Sequence, residues 1–118
     1  MKEIKLSIDG KDYNFSLGLG FFGEVTEYTG IGIEDIYPEV EKNPMKWIPL
    51  LMYCSAKYSC YLDNIEPDFT LRELVAAIHN EEDGINSVKT TSFMVALNKS
   101  MTKDVPVEKG DSQEPKKK

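Results

Sequence analysis

The chain has 118 residues and a formal net charge of −6; 41% of its residues are apolar and 29% charged. That length fits one domain with one modest core, and the composition is that of a folded chain rather than a disordered one. The acidic balance, with no basic stripe carrying interleaved aromatics, argues against nucleic-acid binding. No apolar run reaches the roughly 18 to 20 residues that span a bilayer, so no membrane association is expected.

The N-terminus alternates polar and apolar residues and has no apolar signal core, which points to a cytoplasmic location. Ile4, Leu6 and Ile8 alternate with Lys5 and Ser7 as one strand; Tyr13, Phe15 and Leu17 alternate with Asp12, Asn14 and Ser16 as its return. Between them Asp9-Gly10 tolerates the positive φ angles of a tight hairpin turn. Gly18-Leu19-Gly20 breaks the strand, and Phe21, Phe22, Val25 and Tyr28 recur at helical spacing until Gly30. The spacing Gly18-x-Gly20-x-x-Gly23 fits a dinucleotide fingerprint. The strand before it belongs to an antiparallel hairpin, however, and Phe21 and Phe22 are bulky where a pyrophosphate needs close backbone approach, so a strand-to-helix hinge is the better reading.

After a second hinge at Gly30-Ile31-Gly32, the residues Ile33, Ile36, Tyr37 and Val40 predict a short helix or turn interrupted at Pro38. Asn43 as N-cap and Pro44 at the first helical position open a long helix to about Leu62. Trp47, Leu50, Leu51, Cys54, Tyr58 and Tyr61 form its apolar stripe. Only Lys46, Pro49, Tyr53, Lys57 and Cys60 look suited to water. A helix so apolar is a core helix, or a core helix that also meets a partner, a second copy of the chain included. Cys54 and Cys60 are turned about 240° from each other on that helix, too far around to bridge, and read as reduced packing residues.

Thr70-Leu71-Arg72-Glu73 is a capping box, and Leu71, Leu74, Val75 and Ile78 give the next helix one apolar face through His79. The acidic turn from Asn80 to Gly84 stops it. Ile85 to Met101 reads as a last helix with Phe93, Ala96, Leu97 and Met101 on one face. Beyond Met101 two prolines, two valines and no aromatic residue predict a disordered polar tail over 102–118. The expected architecture is therefore α+β: an N-terminal β-hairpin, then a bundle of about four to five helices in a single domain over 1–101.

Chemistry is sparse. The one histidine, His79, lies beside Glu81, Glu82 and Asp83 in a solvated turn and reads more simply as a partner of a helix C-terminus than as a metal ligand. No nucleophile–base pair, metal cluster or phosphate loop is evident, so neither catalysis nor a cofactor is expected.

The series Ile8, Asp9, Gly10, Lys11, Tyr13 and Phe15, followed by Gly18, Leu19, Gly20 and Phe21, resembles the tail assembly chaperones of long-tailed bacteriophages, as does the apolar helix led by Asn43-Pro44. The resemblance covers roughly residues 1 to 100, with its specific part in the first third. It implies a non-enzymatic protein that holds the tape-measure protein soluble, recruits tail-tube subunits, and is absent from the mature virion. It also implies a second, longer form made by ribosomal frameshifting, for which codons of the run Lys116-Lys117-Lys118 can supply a slippery sequence. Candidate contact residues are Phe21, Phe22, Tyr28, Trp47, Leu51, Tyr58 and Tyr61; ordinary core packing is the competing role of each. The alternatives are a small structural subunit of the tail or of the head–tail connection, which would need more than two strands to build a ring, and a regulatory protein-binding module.

Overall fold

The computed structural model describes residues 3–104, with side chains as far as Ser100. Two strands, β1 (Glu3–Ile8) and β2 (Lys11–Ser16), pair antiparallel in the register Ile4 to Phe15, Leu6 to Tyr13 and Ile8 to Lys11. Asp9 and Gly10 form the two-residue turn with φ values of 52° and 83°, which is the positive-φ pair that such a turn requires. Five helices follow: α1 (Leu19–Thr29), α2 (Ile33–Lys42), α3 (Pro44–Leu62), α4 (Leu71–Asn80) and α5 (Val88–Asp104), with a 3-10 turn at Gly84–Asn86. The α+β architecture expected from the sequence is the one observed. Residues 102–104, expected in the tail, continue α5 instead; the rest of the expected tail, including the lysine run, lies outside the described residues.

The junction from β2 to α1 is tight. Gly18 has φ 106° and ψ −169°, a conformation close to glycine-only, and its carbonyl accepts from the N–H of Phe22. Two residues on, Gly20 faces the Tyr58 phenol of α3, and a Cβ built on Gly20 would overlap that ring. The two glycines therefore act differently: Gly18 turns the chain and Gly20 lets α1 approach α3.

Helix α2 corrects the expectation of an interruption, since it runs through Pro38, which is exposed. Asn43 closes α2 by donating its N–H to the Glu39 carbonyl and opens α3 by accepting from the N–H of Trp47, at 3.0 Å each. Its side chain makes no capping bond. At the other end of α3, Asn64 sits at φ 58°. The N–H of Ile65 reaches the Cys60 carbonyl at 2.9 Å and that of Asn64 reaches Tyr61 at 3.1 Å, a Schellman stop.

Between these ends α3 is buried almost all round. Trp47, Leu50, Leu51, Met52, Cys54 and Ala56 join Ile8, Phe15, Phe21, Leu74 and Phe93 in one cluster. The strip expected to face water is corrected: Pro49 is buried, Tyr53, Lys57 and Cys60 are half-buried, and only Lys46 is exposed. Two serines fit α3 beside the hairpin. Buried Ser55 donates to the Ser16 carbonyl at 2.8 Å, and Ser59 donates to Glu3 at 3.1 Å. Thus a β2 carbonyl is satisfied by a helix side chain instead of a third strand.

The Thr70–Glu73 capping box is present in both directions, at 3.1 and 2.9 Å. On α4 the inward residues are Leu74, Ala77 and Ile78; Val75, expected inside, is exposed. The last helix begins at Val88 rather than Ile85, because Ser87 accepts from the N–H of Thr90 at 3.2 Å and so caps it. A polar tie then closes the fold. Glu81 accepts the Asp9 N–H at 2.6 Å and lies 3.4 Å from Lys89, whose ammonium also donates to the Ser7 carbonyl. Asn80 donates to the Asp9 carboxylate at 3.0 Å.

Leu51→Ala is expected to lower the unfolding free energy by about 2–5 kcal/mol, through lost burial and a residual cavity. Urea unfolding measures this. Gly20→Ala should cost about 1–3 kcal/mol by overpacking, and less in a Tyr58→Ala background, because the two positions share one space. Additive losses would show that the phenol yields freely. The Asp9 hydrogen bond, chiefly, and then Lys89 hold the Glu81 carboxyl below its usual 4.5. Since the folded value is depressed, this stabilisation is fully present above pH 4.5 and drains away as pH falls through the folded value. Glu81→Gln should therefore separate from the parent at pH 7 in urea unfolding, and the gap should shrink as the solution is acidified below pH 4.5.

Candidate partner-binding surface

Along α3, Tyr53, Lys57 and Tyr61 stand at i, i+4 and i+8, so they share one side of the helix. The last turn of α1 brings Tyr28 to that side. Its ring lies 5.7 Å from the Tyr53 ring, edge to face, and the Lys57 ammonium sits 4.8 Å from Tyr28 and 5.1 Å from Tyr53. A cation held between two aromatic faces is attracted by both ring quadrupoles, which fixes a flexible side chain in place. The aromatic contacts continue inward: Tyr53 meets Phe69 at 5.8 Å, and Phe69 meets Tyr13 at 5.3 Å, both edge to face.

Helix α4 forms the opposite wall. Phe69 and Leu74 occupy the staple positions that flank the Thr70 cap, and both are buried. This anchors the first turn of α4 so that Leu71, Arg72 and Val75 border a shallow groove of about 510 Å³ with Tyr28, Tyr53 and Thr70. Arg72, the only arginine in the chain, lines the groove, and Lys57 lies against the Tyr28 and Tyr53 rings that border it. Burial raises the Tyr53 phenol against the opposing pull of Lys57. It therefore stays neutral at physiological pH, as a hydroxyl on an otherwise apolar wall.

The seven candidate contact residues separate by position. Phe21, Trp47 and Leu51 are buried in the core. Phe22 is buried too, although it borders a second open groove with Leu19, Gly23, Thr26, Gly32 and Ile33. Tyr58 is half-buried against Gly20. Tyr28 and Tyr61 keep 46% and 47% of their surface exposed. The structure thus brings Tyr28 and Tyr61 to the α3 face and leaves Phe21, Trp47 and Leu51 away from any surface. Tyr53, Lys57, Leu71, Arg72 and Val75 belong to the face and were not among the expected residues. The 53–57–61 spacing is the available signal, but Tyr53 and Lys57 read as the helix's water side and Tyr61 as part of its apolar stripe.

Burial pushes the Cys54 thiol up to about 12, and burial followed by Asp68 and Asp63 raises Cys60, so both thiols stay protonated. Among the described residues no three His, Cys, Asp or Glu side chains converge as a metal site. The Gly18–Gly23 segment follows an antiparallel strand and opens no βαβ unit. No helix of the described residues is long and apolar enough to cross a membrane. Comparison with known proteins returns no matching family model, no similar curated protein and no similar solved structure.

Proposed function

We propose that the chain is a non-enzymatic binding protein of the bacterial cytoplasm: a phage tail assembly chaperone that covers apolar stripes of the tape-measure protein before the tail tube encloses them, and that does not remain in the virion. The observation that carries this reading is the Tyr28–Tyr53–Tyr61 face with its bracketed Lys57. Half-exposed tyrosines beside an arginine are the residue types that dominate binding energy at protein interfaces. The Tyr28 and Tyr53 rings are already ordered by mutual contact, so little of their conformational freedom is lost on docking. The acidic remainder of the surface keeps the free protein soluble while that face stays open. The two-stranded sheet weighs against a tube subunit, which needs a larger sheet to close a ring.

The test is co-expression with the long helical tape-measure protein of the same phage or prophage. Tyr28→Ala combined with Tyr61→Ala should move the tape-measure protein into the insoluble fraction and cut the yield of tails, while shifting the melting temperature of the chaperone itself by little. Mass spectrometry of purified virions should find the chain absent or scarce. A double variant that supports tail assembly as well as the parent does, or a stoichiometric presence in virions, would sink the proposal.

A further inference from the structure

The hairpin has two edges, and they are treated differently. Along β2 runs α3, with Ser55 satisfying the Ser16 carbonyl. On β1 the two-residue turn makes Ile8–Lys11 the closing hydrogen-bonded pair, so Ile4, Leu6 and Ile8 direct their backbone groups at β2 and Glu3, Lys5 and Ser7 direct theirs outward. Lys89 takes the Ser7 carbonyl. No strand pairs with Glu3 or Lys5 on that side among the described residues. Beside this edge, on the Ile4 face, α5 presents Val88 and Val95 at 79% and 49% exposure. With Ile4, Thr91 and Ala96 they border a groove of about 510 Å³.

We propose that β1 is a self-association site: two copies pair antiparallel through this edge, about a dyad at Ile4, to make a four-stranded sheet. The charges select both the occupant and the register. With the dyad at Ile4, Glu3 of each copy stands opposite Lys5 of the other, and each such pair exchanges both of its backbone hydrogen bonds. Moving the dyad to Lys5 sets ammonium against ammonium and asks Ser7 to give up Lys89. Moving it to Glu3 sets carboxylate against carboxylate. Lys5 is exposed and makes no ion pair among the described residues, and Glu3 gives one carboxylate oxygen to Ser59. A lysine on an edge strand ordinarily deters pairing; here an acid two residues away answers it from the second copy. Ile4 of the second copy then falls beside Ile4 and shields the Val88–Val95 groove. The sheet gains too, since an isolated two-stranded ribbon is marginal and four strands are not.

Sedimentation equilibrium of the full chain tests the site. A reversible dimer is expected, weakened by salt. Lys5→Glu should raise its dissociation constant about tenfold or more, by turning two attractive cross-strand pairs repulsive. Adding Glu3→Lys to Lys5→Glu should restore the dimer, because the antiparallel register again sets opposite charges face to face. Lys5→Pro removes an outward N–H together with the ammonium and leaves the ladder to β2 intact, so it should abolish the dimer while the melting temperature of the monomer holds. Tyr28→Ala with Tyr61→Ala should leave the dimer unchanged. A chain that stays monomeric at every concentration overturns the proposal, as does a dimer indifferent to Lys5→Glu or to Lys5→Pro.

Discussion

Helix α3 must bury nearly its whole circumference in a domain of about a hundred residues, and the other elements are arranged to satisfy that demand. A helix apolar all round leaves backbone and side chains nowhere to meet water except at its ends. Helices α1, α2 and α4 and strand β2 all pack on it. Its two ends are closed without side-chain caps: the backbone of Asn43 serves two helices at one end, and the Schellman turn at Asn64 closes the other. Where α3 meets the sheet edge, an apolar residue would strand the Ser16 carbonyl; Ser55 resolves this with a buried hydrogen bond. Where it meets α1, only a glycine at position 20 leaves room for Tyr58.

The same demand fixes what is left exposed. Because α3 is covered from several directions, its one partly open side is the 53–57–61 line, and that side is open because the groove between α1 and α4 is not closed over it. Because α3 occupies the β2 side of the hairpin, the β1 side is left to α5, whose Lys89 takes the Ser7 carbonyl, and to the outward backbone groups of Glu3 and Lys5. The aromatic face and the bare strand edge are thus two consequences of one packing decision. They lie on different elements, so occupation of one leaves the other accessible.

Much of this was legible in the residues, and the boundary of legibility is physical. The hairpin register followed from Asp9-Gly10, because only such a pair fits a two-residue turn. The start of α4 followed from Thr70 and Glu73, because the capping box is local. Errors arose where tertiary context outweighed local preference. Pro38 reads as a breaker, but the missing hydrogen bond falls on an exposed side of α2. Val75 and Ala77 exchange places because the packing of α4 turns the larger side chain out beside Tyr53 and the smaller one in. Ser87 was overlooked as a cap, since no acidic third residue marks a box; its partner is the backbone of Thr90. On the face itself, a tyrosine and a lysine one turn apart read as solvent-facing, and nothing near them in sequence indicated that Tyr28 would arrive.

The tie among Asp9, Glu81 and Lys89 joins positions 72 and more residues apart in the chain. Such contacts close slowly, since a long loop must be gathered before they form. During synthesis the hairpin turn therefore emerges long before the residues that pin it, and α1 to α3 leave the ribosome while the turn is still untied. Until Lys89 is out, the Ser7 carbonyl and the Glu81 carboxylate lack the ammonium that joins them. Strand β1 is thereby held in two stages, first by β2 and, once the last helix has begun, by the Lys89 ammonium as well.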